Sequence, residues 1–283
     1  MSSFTSKASP TSLILTALAG SVIAGYLYGR RKSQQPRRSL VALQGNFYGT
    51  GSDVCRLYGA NAAGLVVVIT GTTSGLGAQT AKLLGEHGAF VIMGNRRPNN
   101  DLVKESVKKI ERAGGRAMSL ALDLASLESV REFSNEVKRI LKNQSKRINV
   151  LIHNAGVSFL DGSTKDGFQR VWQVNALAPA LLTELCLPMM SPESGRVIWI
   201  SSEMHRFCWG RNLVDQCPPK KEGGSSMFDY ALSKACQVMQ ANELNHREGN
   251  GITGNIRGFA IEPGLVRTQI GRHAPQLMLE VEY

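Results

Sequence analysis

The chain has 283 residues, 42% of them hydrophobic, and a formal net charge of +11. The charge suggests a nucleic-acid partner only until it is mapped. Lys7, Arg30, Arg31, Lys32, Arg37 and Arg38 place +6 on residues 1–50, which hold no acid, so the remainder keeps +5 with no basic stripe and no nucleic-acid motif.

Five cysteines, Cys55, Cys186, Cys208, Cys217 and Cys236, are odd in number and never spaced C-x-x-C. Neither a disulfide framework nor a zinc site is indicated, and a reducing compartment is the default. No metal-ligating set is expected.

Residues 8–29 carry no charge, and Leu13–Leu27 is their apolar heart. Residues 12–29 would span about 27 Å as a helix, close to the hydrocarbon thickness of a bilayer. Tyr26 and Tyr28 sit at the distal end, and Arg30-Arg31-Lys32 follows at once. A cleaved signal peptide is the rival reading. Its basic residues should precede the apolar run, and here only Lys7 does while the arginines follow it, which favours an uncleaved anchor. The positive-inside rule then puts the C-terminal bulk in the cytosol. The expected division is a tail (1–11), an anchor (12–29), a basic linker (30–63) and one domain (64–283).

Leu65 to Gly77 reads LVVVITGTTSGLG. The β-branched run predicts a fully buried parallel strand, then a glycine turn, then a helix over 78–87. The spacing is T-G-x-x-x-G-x-G. Thr70, Gly71, Ser74, Gly75, Leu76 and Gly77 would bring backbone N–H groups and the positive end of a helix dipole close to a pyrophosphate. Phe90–Met93 is the second strand, ending in Gly94-Asn95-Arg96-Arg97. In a dinucleotide fold an acid at this strand end binds the ribose 2′-hydroxyl of NAD, whereas arginine accommodates the 2′-phosphate of NADP. Asn95 stands where an acid would be sought, and Arg96 follows it, so NADP(H) is expected.

A helix over 100–113 leads to a third strand, Met118–Leu122, ending in Asp123-Leu124. A helix over 127–141 follows, with Ser126 as N-cap. The fourth strand, Ile148–Ile152, ends in His153-Asn154-Ala155-Gly156, and a long helix over 168–187 contains Asn175. Arg196–Ile200 ends in Ser201-Ser202. A helix over 230–243 opens on Tyr230 and carries Lys234 one turn later. Ile256–Ile261 ends in Glu262-Pro263-Gly264. Alternating strands and helices predict a doubly wound parallel sheet of Rossmann type, with functional groups at the C-terminal strand ends.

A spacing of four puts Tyr230 and Lys234 on one helix face. A phenol titrates near pH ~10 unaided, and a nearby ammonium lowers that value toward useful acid–base chemistry.

Together these motifs resemble the short-chain dehydrogenase/reductase superfamily, most closely its retinol-dehydrogenase-like, membrane-anchored members. The resemblance runs from Gly64 to about Gly271. It implies that Ser202, rather than Ser201, hydrogen-bonds the substrate oxygen, and that Tyr230 gives or takes its proton. Lys234 would lower the Tyr230 pKa and, with Tyr230, contact the nicotinamide ribose. Asn175 would support a water-mediated proton path. Asp123 and Leu124 would face adenine. Asn154, Ala155 and Gly156 would flank the cofactor, as would Pro263, Gly264 and Thr268 beyond the sixth strand. His153 replaces the usual first Asn of Asn-Asn-Ala-Gly and reads as a satisfied, partly buried histidine.

The insert between Ser202 and Tyr230 carries Phe207, Cys208, Trp209, Leu213, Met227 and Phe228. It is either an apolar lid for a lipophilic alcohol or carbonyl (retinoid, steroid or fatty aldehyde) or plain loop packing. The expected location is the endoplasmic reticulum membrane with the catalytic domain cytosolic, a mitochondrial or other organelle membrane being the alternative, and homo-oligomerisation stays open. Only fifteen residues follow Thr268, where the family normally continues. The expectation is a C-terminally short fold whose sixth strand is a sheet edge. A catalytically weak binding or scaffold protein is the alternative to an enzyme.

Overall fold

A computed structural model describes residues 51, 55, 62–208, 213, 217 and 227–264. The expected anchor at 12–29, Trp209, Thr268 and the C-terminal tail lie outside the described residues. Among those described, no helix is long and apolar enough to cross a membrane.

The elements are β1 (Val66–Thr70), α1 (Gly75–Glu86), β2 (Phe90–Asn95), α2 (Asp101–Arg112), β3 (Arg116–Ala121), α3 (Leu127–Asn143), β4 (Val150–His153), α4 (Ala178–Cys186), β5 (Arg196–Ile200), α5 (Met227–Gly249) and β6 (Arg257–Ile261). The strands form one parallel sheet in the order β3-β2-β1-β4-β5-β6. The chain winds outward from β1 in one direction, then returns beside β1 with β4 and winds the other way. This reversal opens a crevice at the C-terminal ends of β1 and β4.

Every residue of β1, β2 and β4 is buried. In β1 the side chains alternate between two cores. Val66 and Val68 pack with Phe133, Val137, Leu181 and Leu182 from α3 and α4. Val67 and Ile69 pack with Ala81 of α1 and Val103 of α2. A strand buried on both faces must be apolar throughout, which is why this stretch reads as an unbroken β-branched run.

Capping fixes the helix starts. Asn100 accepts from the Leu102 N–H at 2.9 Å, and Ser126 accepts from the Ser129 N–H at 3.1 Å. α5 begins three residues before Tyr230 and runs six residues beyond the expected end.

The segment read as one helix over 168–187 is broken. A turn at Arg170–Trp172 passes into a π-helical segment, Gln173–Leu177, before α4 begins. A π segment widens the turn by one residue, a distortion frequent at functional sites. Here it carries Asn175. β6 lies at the sheet edge among the described residues, with Phe259 and Ile261 exposed.

Candidate active site

The glycine turn after β1 is shaped by contacts that leave no room for side chains. Gly71 (φ +71°) would place a Cβ 2.8 Å from the Ala155 backbone, and a Cβ on Gly77 would overlap the Asn154 amide and the Gly71 carbonyl. Asn154 donates from Nδ2 to the carbonyls of Thr70 (2.9 Å) and Gly71 (2.8 Å), and the Ala155 N–H donates to Thr70 Oγ1 (3.1 Å). The end of β4 therefore clamps the end of β1.

Ser74 precedes α1 without a side-chain capping bond. The first N–H groups of that helix, at Gly75, Leu76 and Gly77, thus have no capping side chain. Such an end suits an anionic ligand.

A cleft of about 650 Å³ opens over this turn. Thr70, Gly71 and Ser74 line it from β1 and its turn, Arg96 from β2, Asp123 and Leu124 from β3, and Ala155 and Gly156 from β4. Eight of the expected cofactor residues therefore share one wall. Gly75, Leu76, Gly77 and Asn154 shape the turn without lining the cleft. Pro263 and Gly264 follow β6 and also lie outside its lining.

Asn95 differs from its expected setting. It is buried, and its amide is spent inward. Oδ1 accepts from the Thr72 N–H (3.0 Å), and Nδ2 donates to Thr72 Oγ1 (2.8 Å) and Ser119 Oγ (3.2 Å). Asn95 braces the glycine turn against β2 and β3, and the cleft rim belongs to exposed Arg96 and Arg97. Arg170 faces the same cleft from the π-segment side, a position with no motif around it in the sequence.

The second half of the site is buried and polar. Asn175 accepts from the Val157 N–H (2.9 Å), and its Nδ2 donates to the Val157 carbonyl (2.8 Å) and to Ser233 Oγ (3.0 Å). Val157 lines the cleft and Ser233 stands in α5, so Asn175 ties cleft to helix.

Lys234 is 2% exposed and donates to the Ile200 carbonyl (2.7 Å) and Gln237 Oε1 (3.3 Å). Gln237 in turn donates to the Asn175 carbonyl (2.8 Å). The side chain of Gln237 therefore bridges the Lys234 ammonium and the Asn175 main-chain carbonyl. Only the structure reveals this residue, because glutamine one turn along a helix carries no signal.

Ser201 and Ser202 part company. Ser201 Oγ donates to the Lys234 carbonyl (3.0 Å) and is buried. Ser202 makes a side-chain hydrogen bond with Tyr230.

The expected lowering of the Tyr230 pKa by Lys234 is not found. Burial holds the Tyr230 phenol above its ordinary value, and the Ser202 bond only partly offsets this. Burial pulls Lys234 down to about 7. Its Nζ is anchored to Ile200 and Gln237 and stands 5.5 Å from the Tyr230 ring centre. Its hydrogen bonds are directed at those two acceptors.

His153 is fully buried rather than partly so. It bonds through Nε2 to Thr183 Oγ1 (2.8 Å) and lies against Trp199. Thr183 already donates to the Pro179 carbonyl, so Nε2 carries the proton and Nδ1 is left without a partner. Burial drives its pKa down to about 3.

The insert also divides. Cys208 and Leu213 pack into the α5 core, whereas Phe207 and Met227 are exposed.

Fold and site together define a Rossmann-type α/β protein with a Ser–Tyr–Lys cluster beside its glycine cleft. A model of the family described as short chain dehydrogenase matches residues 65–211, and the chain belongs to that family. It is 34% identical over 221 residues to the WW domain-containing oxidoreductase of Gallus gallus, covering 74% of this chain and 50% of that protein. It is 35% identical over 223 residues to retinol dehydrogenase 14 of Mus musculus, covering 74% of this chain and 64% of that protein. The chain thus spans between half and two thirds of the length of these relatives. Its fold matches the crystal structure of landomycin C-6 ketoreductase LanV with bound NADP and rabelomycin, at TM-score 0.58 and 26% identity over 72% of this chain and 77% of that one.

Proposed function

We propose that this chain is an NADP(H)-dependent oxidoreductase that transfers hydride between the nicotinamide and a lipophilic alcohol or carbonyl compound. The observation carrying the reading is the Ser202–Tyr230 hydroxyl pair above buried Lys234, joined through Asn175 to a glycine cleft rimmed by arginine. When bound, the nicotinamide supplies or accepts the hydride.

The protein's part is to hold the substrate oxygen and move its proton. Ser202 donates a hydrogen bond to that oxygen, and Tyr230 delivers the proton in reduction or removes it in oxidation. The buried Tyr230 hydroxyl is protonated at neutral pH, which suits donation to a carbonyl. Lys234 positions the tyrosine helix against β5 and contacts the nicotinamide ribose.

The tight Gly71–Gly77 turn and the uncapped start of α1 fit a pyrophosphate. Arg96, seconded by Arg97, fits a 2′-phosphate, and the NADP in the related ketoreductase agrees with that choice. Asp123 and Leu124 take the adenine side of the cleft. Thr268, with Pro263 and Gly264, is assigned to the nicotinamide end.

Retinoids, by analogy with retinol dehydrogenase 14, and steroids and fatty aldehydes, as lipophilic compounds of the same kind, are the proposed substrates. The anchor at 12–29 would hold the protein in the endoplasmic reticulum membrane with the site in the cytosol. Carbonate extraction and protease protection test that placement. For the chemistry, purified protein is incubated with NADPH or NADH and a panel of lipophilic aldehydes. NADPH consumption with at least one aldehyde is expected. No turnover with any member, or equal affinity for the two cofactors, would count against the reading.

A further inference from the structure

A pair of thiols at the base of α5 takes no part in the chemistry above. Cys217 Sγ lies 3.6 Å from Cys236 Sγ, and both are free thiols. Cys236 sits on α5, buried among Trp172, Leu232 and Met239. Cys217 is half-buried and so open to a small solute.

We propose that Cys217 and Cys236 form a dithiol site oxidised by hydroperoxides, closing to a disulfide that joins residue 217 to α5 two positions beyond Lys234. The sulfurs are in contact, and bond formation needs them to approach by roughly 1.5 Å more, given an S–S bond of about 2.05 Å. The inference stands on this juxtaposition and does not depend on the enzyme reading.

The two thiols differ in the way an attacking and a resolving cysteine differ. The hydrogen bond from Cys236 outweighs burial and holds Cys217 below the ordinary thiol value. The same bond, burial and the neighbouring charge of Cys217 hold Cys236 far above it. Thiolate character therefore gathers on the accessible sulfur. Cys186 provides the internal contrast, since burial pushes it up to about 12, only partly offset by a hydrogen bond with Ser134.

The chemistry runs in two balanced steps. The Cys217 thiolate attacks the distal oxygen of a hydroperoxide. The O–O bond breaks, an S–O bond forms, and the alkoxide or hydroxide leaving group takes up a proton as alcohol or water. The Cys236 sulfur then attacks the Cys217 sulfenic acid. The S–S bond forms, the S–O bond breaks, and the departing hydroxide leaves as water with the Cys236 proton. Two thiols are oxidised by two electrons, and one peroxide is reduced. Oxidation of Cys217 also removes the negative charge that suppressed ionisation of Cys236, so the first step activates the second.

The test uses the full-length chain, purified reduced, treated with one equivalent of hydrogen peroxide, alkylated and digested with trypsin without reduction. The expected product links peptide 212–220 to peptide 235–247, two hydrogens lighter than their sum, with two of the five thiols lost. Cys208→Ser should keep the link and Cys217→Ser should lose it. A Cys217 carried on to sulfinic acid with no link, a link through Cys208, or unchanged thiols in the wild-type chain would each overturn the proposal. The wild-type map needs no variant to fold.

Discussion

The cofactor cleft and the corner around α5 are built on opposite principles. The cleft is defined by what is missing: no Cβ at Gly71 or Gly77, and no cap at Ser74. Its polar groups are backbone N–H and exposed guanidinium groups awaiting a partner. The α5 corner is filled with buried polar side chains that already have partners. Asn175 makes three hydrogen bonds, and Lys234 and Gln237 are tied to main-chain carbonyls. The first region is open to be completed by a ligand. The second is assembled in advance, so that one hydroxyl pair, Ser202 and Tyr230, is held ready. Binding and proton transfer should therefore respond separately to mutation, except at the residue that joins the two regions.

That residue is Asn175, and its loss should have the largest effect. Asn175→Ala deletes a fully buried amide and strips the partners from the half-buried Val157 N–H and carbonyl, each worth up to about 1–3 kcal/mol when left unmade. A drop of roughly 2–4 kcal/mol in unfolding free energy is expected. Weaker cofactor binding should accompany it, because Val157 lines the cleft. Denaturant unfolding checks the first and a fluorescence titration the second. A stable variant with unchanged affinity would mean the two regions are not coupled through it.

Arg96→Ala touches the cleft alone. A hydrogen bond to a charged group is worth about 1.5–3 kcal/mol, so the preference for NADPH over NADH should fall roughly ten- to a hundredfold. Thermal stability should hardly move. Retained preference would transfer the phosphate to Arg97 or Arg170, which face the same cleft.

The smallest expected effect lies beneath both regions. His153 titrates near 6.5 when unfolded and near 3 in the fold. Its depressed value means the unfolded chain binds the extra proton, so stability is lost as pH falls from about 6.5 toward 3. Between pH 6.5 and pH 5 the loss should be roughly 1–2 kcal/mol. His153→Asn should flatten that slope in urea unfolding at the two pH values. An unaltered slope would place the acid sensitivity elsewhere.

The cleft was far more legible in the sequence than the α5 corner, for a physical reason. Backbone-defined sites demand glycine at fixed spacing, and glycine is visible in a string. The three central strands, β1, β2 and β4, were equally visible, because strands buried on both faces must be apolar throughout. Partners in a buried polar network are set by three-dimensional packing. Gln237, Ser233 and Thr72 looked like ordinary helix and loop residues, and nothing in the sequence said that Asn95, which lines the cleft, also braces the glycine turn. The π segment was hidden because its composition is that of any amphipathic helix. Pairing of Cys217 with Cys236, nineteen positions apart, left no motif at all. The Tyr230–Lys234 spacing correctly placed both residues on one helix, but it could not say that Lys234 turns toward Ile200.

The central claim is that this chain binds a nicotinamide cofactor in one region and moves the substrate proton in the other. Its most direct test is Tyr230→Phe, assayed with 4-deuterated NADPH, both stereoisomers, and a lipophilic aldehyde accepted by the wild type. The account predicts deuterium in the wild-type alcohol product from one stereoisomer only. It predicts a turnover roughly 10²- to 10⁴-fold lower in the variant, with NADPH affinity nearly unchanged. Near-wild-type turnover in Tyr230→Phe, or loss of cofactor binding in step with turnover, would contradict it.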